Sequence, residues 1–508
     1  MLDQTSDLLQ PPSEVTVAVG AATNGWRPRA ALAGRREHPR LLSGIAGAAL
    51  IALAALSALL VVVTAAHPSF MTPTANPRYF PGWMAGPLGG AWPGGTLSEG
   101  TMHWLVTAIL AGMYLAYLTT VALSARVRAR WVIAAILAAH LAFLLAAPLQ
   151  YTDVFNYINY GRMGVLHHLN PYETVPMLEP HGDPAFAISN WHWLISPYGP
   201  LFTLFTYALV PLGIAGAFWG LKLILCVASL AVLGLVWRCA QLLGRDPVRS
   251  IALVGLNPIL LVWGLGADHN DILMVLPLTL GVYLLVRARA GAGSLRLPGT
   301  HRHITYEHLA AAAFVAAAGI KVSAAVVIPI AFAAAPRRRA FAVGLLLAAV
   351  ALAAVSALAF GLRLPGLGSQ TKLVTDVGPP NLLGWALGQG GETDTLRSIL
   401  SLLAAAVVVG LAVRARRPAS DWIALAGWGL LAVWLTTSWF APWYVVWLLP
   451  FAALAARRRL SVCVLALGVY LLVAFGPKIT PLLQTLHFSP YGSTLGEQHY
   501  RVIAHLVQ

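Results

Sequence analysis

Residues 151–176 read YTDVFNYINYGRMGVLHHLNPYETVP and lie between two of the most apolar runs in the chain. They are the first place where carboxylate, histidine and amide side chains gather. Asp153 follows the apolar run that ends at Leu149 by only a few residues, so its carboxylate should lie at the edge of a hydrocarbon layer. Because an ionisable side chain at that depth is a functional candidate by default, we predict that this stretch is an active-site loop and that Asp153 is a candidate functional residue.

A helix over residues 153–168 would bring Asp153, Asn156 and Tyr160 onto or beside one face, and it would lie along the membrane interface. Thr152 and Asp153 also suit the N-terminus of such a helix, where a side-chain oxygen caps free N–H groups and a carboxylate is favourable. Asp153 is therefore a helix cap, a catalyst, or both.

The composition of the chain excludes a soluble protein. Of the 508 residues, 58% are hydrophobic and 10% are charged, and the mean hydropathy is +0.73. At roughly 20 residues per crossing, the apolar runs account for about thirteen transmembrane helices, so we predict an all-α polytopic membrane protein.

The net charge of +15 comes largely from short arginine clusters between spans, where such clusters set orientation. It does not indicate nucleic-acid binding, and the expected partners are membrane lipids and lipid-borne substrates.

The arginine clusters also divide the chain into segments on either side of the membrane. Residues 1–40 are polar, rich in Pro, Ser and Thr, and are predicted to be a disordered cytoplasmic tail. The membrane domain covers residues 41–475, with external loops at 150–197 and 363–393 that form the active site. Residues 476–508 are predicted to be an external tail. The N-terminus is thus expected in the cytoplasm, and the active site on the extracytoplasmic face of the plasma membrane.

The orientation of the region after the first external loop is ambiguous. Two apolar runs between residues 198 and 237 would return the chain to the outside, yet Arg238, Arg245 and Arg249 predict a cytoplasmic turn. Either that basic turn is external, or one segment does not cross the membrane. A half-penetrating segment at residues 251–263, interrupted by an Asn-Pro pair, would also resolve the conflict, because irregular backbone at membrane depth is tolerated where it lines a cavity.

A second polar cluster reads GLGADHNDILMV, residues 264–275, and precedes an apolar run that ends in arginines, so it should face out. A short hairpin over residues 309–335, turning near Gly319, would carry Lys321 at its outer tip. Taken singly, these charged residues have plain explanations, namely helix capping or snorkelling to head groups. Their coincidence with Asp153 on one side indicates a joint site for an anionic lipid and a carboxylate base.

These residue types suit the steps of a group transfer. An aspartate can take a proton from an attacking hydroxyl, a lysine can hold a phosphate, and a histidine can donate a hydrogen bond or a proton to a leaving oxygen. We predict Asp153 as the base, and Lys321, His269 and Arg162 as ligands of a donor phosphate. The other predicted substrate-binding residues are Asn156, Tyr160, His168, Tyr172, Trp191, Tyr198, Asp268, Asn270 and Asp271.

Aromatic side chains gather at the external edges of the predicted spans, and most are assigned to an interfacial belt. They include Tyr157, Tyr172, Trp439, Trp443 and Tyr444. Trp191 and Tyr198 lie in a long loop, where an aromatic face can instead stack on a sugar ring.

The histidine pair at 167 and 168 lacks the i, i+4 spacing of a helical zinc site, and the three cysteines show no CxxC spacing. No metal or other cofactor is predicted.

Four motifs carry a resemblance to a known family. They are DVFNYINYGRMGVLHHLNPY at residues 153–172, SPYGPL at 196–201, GLGADHNDILMV at 264–275 and GIKVSAAVVIPI at 319–330. In these motifs the chain resembles the polyprenyl-phosphate-sugar-dependent glycosyltransferases of the GT-C fold. Within them it is similar to the actinobacterial α-1,6-mannopyranosyltransferases that extend lipomannan.

The resemblance implies a GT-C bundle, a donor of mannose linked to polyprenyl phosphate, and a glycolipid or polysaccharide acceptor. It also implies a single-displacement, inverting transfer that forms an α-1,6 linkage, with Asp153 as the base. Relatives that transfer arabinose or glucose share this architecture, so the resemblance leaves the identity of the transferred sugar open. The competing class is a lipid or solute transporter, in which ionisable residues tend to lie near the bilayer midplane, whereas here they cluster at one face.

Overall fold

The computed structural model describes residues 39–66, 81–94, 97–149, 152–291, 293–296, 303–370, 373–477 and residue 485. Nearly all of the predicted cytoplasmic tail, residues 1–40, lies outside these ranges. Most of the predicted external tail, residues 476–508, also lies outside them.

Helices make up nearly all of the described secondary structure, as the composition predicts. In the first half of the chain they are α1 (Pro39–Ala66), α2 (Glu99–Ala122), α3 (Ala129–Leu144), α4 (Asp153–Leu166), α5 (Pro184–Ile188), α6 (Pro200–Leu209), α7 (Gly213–Leu242), α8 (Pro247–Gly255) and α9 (Asp271–Arg289). A π-helix, Leu260–Gly266, precedes α9. A short antiparallel strand pair follows α9, β1 (Ser294–Arg296) with β2 (His303–Thr305).

The second half of the chain continues the helical pattern. Its helices are α10 (Tyr306–Ile320), α11 (Val327–Ala334), α12 (Arg338–Phe360), α13 (Leu367–Gln370), α14 (Pro379–Ala386), α15 (Asp394–Ala415), α16 (Trp422–Leu435), α17 (Leu449–Leu454) and α18 (Arg459–Ala474). Two 3-10 segments matter for the site, Val322–Val326 before α11 and Pro442–Trp447 before α17.

The helix starts follow from local side-chain chemistry. The Ser98 hydroxyl accepts a hydrogen bond from the backbone of Thr101 and begins α2. Asp246 accepts from two backbone N–H groups at the start of α8, with Pro247 at the first helical position. These are the residue types that favour helix N-termini, because a side-chain oxygen replaces the missing intrahelical acceptor and proline has no N–H to satisfy.

The all-α polytopic architecture is confirmed. Six helical stretches in the described ranges are long and apolar enough to cross a membrane, and a seventh candidate is the pair formed by α8 and the π-helix, which is bent by 59°. Six further apolar helical stretches have 10–17 residues. The count of about thirteen spans stays a prediction, because those six are shorter than the roughly 20 residues of a straight crossing.

After the first loop the chain forms a short helix, a long helix and a bent helix pair, and the number of crossings in this region stays a prediction. Helix α6 has 10 residues, which is about half the thickness of a bilayer core at 1.5 Å per residue. Together α6 and α7 form a single candidate span, Pro200–Leu242. The bend that follows lies at Asn257, whose Oδ1 accepts hydrogen bonds from the backbone N–H groups of Ile259 and Leu260 at 2.9 and 3.2 Å. The predicted interruption at the Asn-Pro pair is therefore confirmed.

The predicted hairpin with Lys321 at its turn is present. Helix α10 ends at Ile320, the chain becomes extended at Lys321 (φ −149°, ψ 123°), and the 3-10 segment then leads into α11. Arg337, which precedes α12, lies 3.6 Å from Glu307 in the first turn of α10. The beginning and the end of the hairpin are thus close together, and Lys321 lies at the opposite end, at the turn.

The aromatic side chains correct one expectation from the sequence. Tyr157, Trp443 and Tyr444 are exposed by 1%, 3% and 5%, so they do not form a lipid-facing belt. They lie inside the bundle, where the polar turn at residues 268–271 offers partners to Tyr157 and Trp443. The Trp443 ring stacks on His269, and the Tyr157 hydroxyl lies 3.5 Å from the side-chain oxygen of Asn270.

Candidate active site

Asp153 is the first residue of α4, and both of its carboxylate oxygens contact side chains from other segments. Oδ1 accepts a hydrogen bond from Trp191 Nε1 at 3.1 Å, and Oδ2 lies 3.3 Å from His269 Nε2. Thr152, which precedes the helix, provides no side-chain cap. The carboxylate lies at the positive end of the helix dipole, but its hydrogen bonds run to the loop and to the 268–271 turn. This geometry favours the catalytic interpretation over the cap.

The ring of His269 is fully buried and fixed in orientation. Its Nδ1 lies 2.5 Å from the carbonyl oxygen of Trp263, and its plane stacks on Trp443 with 3.6 Å between ring centroids. Because a carbonyl oxygen can only accept, Nδ1 carries a proton. A hydrogen bond between Nε2 and Asp153 then needs one further proton, which lies either on the ring or on the carboxylate.

The surroundings of Asp153 favour its ionised form. Burial alone would raise the pKa of Asp153, but the hydrogen bond and charge of His269, with contributions from Trp191 and Lys321, lower it below the usual 3.8. Hydrogen bonds and nearby positive charge stabilise a carboxylate more than a carboxylic acid. The ionised form is the one that a proton acceptor requires.

Asn156 fixes the tryptophan that contacts Asp153. Its side-chain oxygen accepts from the backbone N–H groups of Asn190 and Trp191 at 3.1 and 3.0 Å. Its side-chain nitrogen donates to the Asn190 side chain at 2.9 Å and to the Thr152 carbonyl at 3.0 Å. The amide therefore joins the start of α4 to the loop that carries Trp191, and it acts on Asp153 through that ring.

Asp271 and Lys321 form a close ion pair next to this centre. The ammonium of Lys321 lies 2.8 and 2.9 Å from the two carboxylate oxygens, and Trp447 Nε1 donates to Oδ1 at 2.5 Å. The ammonium also lies over the Tyr444 ring, 4.4 Å from its centroid. Lys321 therefore does not simply extend to lipid head groups, and the Asp271 carboxylate holds the ammonium in place.

A second, fully buried ion pair was not predicted from the sequence. Lys222 Nζ lies 3.2 Å from Asp268 Oδ1, with both side chains exposed by 1% or less. Asp268 adopts a left-handed backbone conformation, φ 57°, and burial raises the pKa of Asp268 to about 6 against the lowering effect of Lys222. The sequence feature that could have identified Lys222 is its position as the single charged residue in the apolar run AFWGLKLILC. A charge within the membrane usually has a partner, so such a lysine predicts a nearby carboxylate.

A cavity of about 300 Å³ opens beside Lys321. Its lining combines cations, hydroxyls and aromatic rings, among them Tyr198, Lys321, Arg397, Ser401, Trp439 and Tyr444. Trp439 lies 5.8 Å from Trp191 between ring centroids. The ring that hydrogen-bonds Asp153 therefore also contacts the wall of this cavity.

Arg397 supplies the second cation of the cavity and was also missed by the sequence reasoning. Its Nε donates to Ser438 Oγ at 2.9 Å and to Glu392 at 3.3 Å, and Ser438 donates to the same Glu392 oxygen at 2.6 Å. Glu392 is fully buried. The position of Arg397, at the start of an apolar helix after the second predicted active-site loop, is the signal that would have singled it out.

Other predicted site residues lie in the loop and support its shape. Arg162 pairs with Asp183 at 2.9 Å and does not line the cavity beside Lys321. Tyr160 donates to the Leu194 carbonyl and Tyr172 to the Tyr198 carbonyl, each at 2.7 Å. His168 is exposed and has a positive φ. The substrate contacts assigned to these four residues stay predictions.

The fold and the site together define a helical polytopic membrane protein in which a partly exposed carboxylate contacts a buried histidine, near a cavity lined by cations and aromatic rings. The chain belongs to the α-(1→6)-mannopyranosyltransferase family, because the model of that family's N-terminal domain matches residues 41–337. A further model, described as the MptB C-terminal domain, matches residues 374–491. The family predicted from the four motifs is confirmed.

Two relatives carry the same name, α-(1→6)-mannopyranosyltransferase A. The protein of Mycobacterium tuberculosis is 29% identical over 370 residues, which are 66% of this chain and 67% of the relative. The protein of Corynebacterium glutamicum is 30% identical over 159 residues, 30% of this chain and 31% of the relative. No solved structure gives a significant match.

Proposed function

We propose that the protein transfers a mannosyl residue from a polyprenyl-phosphate donor to a lipid-linked or polymeric mannan acceptor and forms an α-1,6 linkage. The observation that carries the proposal is the convergence of Asp153, His269 and Lys321, which come from three segments far apart in the sequence. They supply a base, a group that orients it and a cation beside a cavity. Sugar transfer from a phosphate needs these three parts.

The reaction is a single displacement. The acceptor hydroxyl oxygen attacks the anomeric carbon of the donor, and the bond from that carbon to the phosphate oxygen breaks. Asp153 takes the hydroxyl proton, and the polyprenyl phosphate leaves with the bonding electron pair. One inversion at the anomeric carbon converts a β-linked donor into an α-linked product.

The contacts of Asp153 prepare it for this role. One carboxylate oxygen is hydrogen-bonded to Trp191 and the other faces His269, so the orientation of the base is fixed before an acceptor arrives. His269 touches Asp153, which gives it the role of a positioning residue in place of the phosphate contact that the sequence suggested. Asn156 positions the base through Trp191.

Lys321 is the proposed ligand of the donor phosphate. Its ammonium has three donors, is held by Asp271 and lines the cavity, so it can bind an oxygen on the cavity side. The phosphate gains negative charge as it leaves, and a fixed cation stabilises that charge more than it stabilises the ground state. Arg397 lines the same cavity and would bind the phosphate from a second direction.

The site is proposed to face the extracytoplasmic side. Arginines from three separate turns approach one another at the end of the bundle opposite to Lys321: Arg289 donates to the Pro418 carbonyl, and Arg416 lines one pocket with Arg337. A cytoplasmic excess of Lys and Arg sets the orientation of membrane proteins. The opposite end, with Asp153, would then receive acceptor and donor from outside.

The test is transfer by the purified protein from labelled polyprenyl-phosphate sugars to a mannan acceptor. Mannose is the expected substrate, ahead of arabinose and glucose, and the product should contain an α-1,6 linkage. Asp153→Asn should lower kcat by about 100-fold to 10,000-fold, because an amide cannot accept the proton. Asp246→Asn is the matched control, since it makes the same chemical change at a helix cap where asparagine serves equally well.

Two results would contradict the proposal. Near-normal turnover by Asp153→Asn would return Asp153 to a structural role. Movement of lipid or solute across the membrane, without transfer from any of the three donors, would favour the transporter.

A further inference from the structure

A second pocket lies at the end of α10 opposite to Lys321, away from the proposed active site. It has a volume of about 740 Å³ and is lined by Arg289, Arg337, Arg338, Arg339 and Arg416. They come from the end of α9, the junction of α11 with α12, and the segment that follows α15. We call this site the arginine pocket.

Two of the five guanidinium groups are held by backbone carbonyls. Arg289 donates to the carbonyls of Ala334 and Pro418 at 2.6 and 3.0 Å. Arg338 donates to the carbonyl of Ala333 at 3.2 and 2.9 Å. These bonds fix cations around a concave surface. A charge cluster that only sets orientation needs neither the concavity nor the fixed geometry.

The positive charge of the arginine pocket is mostly uncompensated. Among the described residues, Arg337 is the one member of the five with a carboxylate within 4.0 Å, Glu307 at 3.6 Å. The residues that line the pocket include no acidic side chain. Like charges that line one pocket repel one another, so an anion in the pocket would relieve the repulsion.

We propose that the arginine pocket binds a phosphate group, supplied by the head group of an anionic phospholipid. The planar guanidinium matches phosphate geometry. The pocket lies where three candidate spans end or begin, at Arg289, Arg338 and Ala415, which is the depth of the head groups. Basic pockets between transmembrane helices bind anionic head groups in this way. The proposal does not depend on the proposed transferase reaction.

The experiment uses the full chain purified in a neutral detergent. Short-chain phosphatidylglycerol is compared with phosphatidylcholine of the same chain length and with inorganic phosphate. The readouts are the unfolding temperature and the bound lipid counted by native mass spectrometry. The test variant is the double substitution Arg339→Gln and Arg416→Gln, because both side chains are exposed and their loss leaves the packing intact. Arg238→Gln is the control, an exposed arginine outside the pocket.

Phosphatidylglycerol should raise the unfolding temperature and give one bound lipid that phosphatidylcholine does not give. The double variant should bind it about 10-fold to 30-fold more weakly, whereas Arg238→Gln should bind it as the unchanged chain does. Equal binding of the two lipids, or full binding by the double variant, would overturn the proposal. If inorganic phosphate saturates the pocket and phosphatidylglycerol is not preferred, the proposal that a phospholipid supplies the bound phosphate group is wrong.

Discussion

Three aspartates, Asp153, Asp268 and Asp271, lie close together in the site, and the side chains that each one contacts indicate different roles for them. Asp268 and Asp271 are completely buried, each held by a lysine. Asp153 contacts a histidine and a tryptophan, and its side chain is 16% exposed. Because a base must touch the hydroxyl that it deprotonates, Asp153 is the carboxylate that an acceptor can reach. The two buried aspartates hold cations in place instead.

Lys321 allows a test that separates phosphate binding from neutralisation of Asp271. Lys321→Met should lower kcat by roughly 100-fold and raise the donor KM, because it removes the cation that we propose for the leaving phosphate. The same change leaves Asp271 buried without its cation, which destabilises the fold. The double variant Lys321→Met with Asp271→Asn removes both charges and should recover stability but not activity. Recovery of wild-type kcat and KM by the double variant would show that Lys321 only neutralises Asp271.

Glu179 gives the loop a pH-dependent stability. Its Oε1 accepts from Asn159 at 2.6 Å, and burial raises the pKa of Glu179 to about 7, against the lowering effect of that hydrogen bond. Because the pKa of Glu179 is higher in the folded protein than in the unfolded chain, protonation of Glu179 stabilises the fold. This contribution to stability is fully present below about pH 4.5 and is lost as the pH rises through 7. The unfolding temperature of the wild type should therefore fall over this interval.

The matched variant is Glu179→Gln, which keeps the hydrogen bond from Asn159 and removes the charge. It should be more stable than the wild type at pH 8, by about 1 to 2 kcal/mol because solvent near the loop screens part of the shift. At pH 4.5 the two should unfold alike. An equal pH dependence in both proteins would exclude Glu179 as its origin.

At the scale of helices and loops, the sequence predicted the extent of elements better than their contacts. The helix predicted over residues 153–168 is observed as Asp153–Leu166, and the hairpin turn predicted near Gly319 follows the end of α10 at Ile320, because helix periodicity and run length are local properties. The pairing of Lys222 with Asp268 was not predicted, and neither was the stacking of Trp443 on His269. Such contacts depend on how helices pack, and the hydropathy of a buried lysine or tryptophan does not identify its partner.

The start of α6 and the end of α10 approach so closely that only glycine fits between them. A Cβ on Gly199 would lie 2.2 Å from the Gly319 carbonyl oxygen, and the Gly199 N–H donates to the Ile320 carbonyl at 3.0 Å. Gly199→Ala should therefore separate the two elements and move Lys321. We expect a loss of about 1 to 3 kcal/mol in the free energy of unfolding, with lower transfer activity.

The matched control for this substitution is Gly234→Ala in the middle of α7, where no atom beyond its neighbours and the local helix backbone lies within 4 Å of the added carbon. It should leave activity unchanged and stabilise the helix by up to about 1 kcal/mol. Equal unfolding temperatures and activities for Gly199→Ala and the wild type would show that the close approach is not required.

At the scale of the whole molecule, two helices connect the proposed catalytic end with the arginine pocket. Helix α9 begins at Asp271, the partner of Lys321, and ends at Arg289 in the pocket. Its 19 residues span about 28 Å at 1.5 Å per residue, close to the roughly 30 Å of a bilayer core. Helix α10 runs the other way, from Glu307 near the pocket to Lys321 at the site. The two sites therefore lie about one membrane thickness apart.

This separation makes the orientation of the protein measurable at exposed positions near each end. We start from a chain whose three cysteines, Cys226, Cys239 and Cys463, are replaced by alanine, because none of them forms a disulfide. Leu178→Cys in the first loop and Arg339→Cys in the arginine pocket then provide exposed thiols at the two ends. A membrane-impermeant maleimide on intact cells should label position 178, whereas position 339 should react only after permeabilisation, since arginine-rich turns stay in the cytoplasm. The reverse pattern would place Asp153 on the cytoplasmic side and contradict an extracytoplasmic transfer. It would also mean that the phospholipid proposed for the arginine pocket belongs to the outer leaflet.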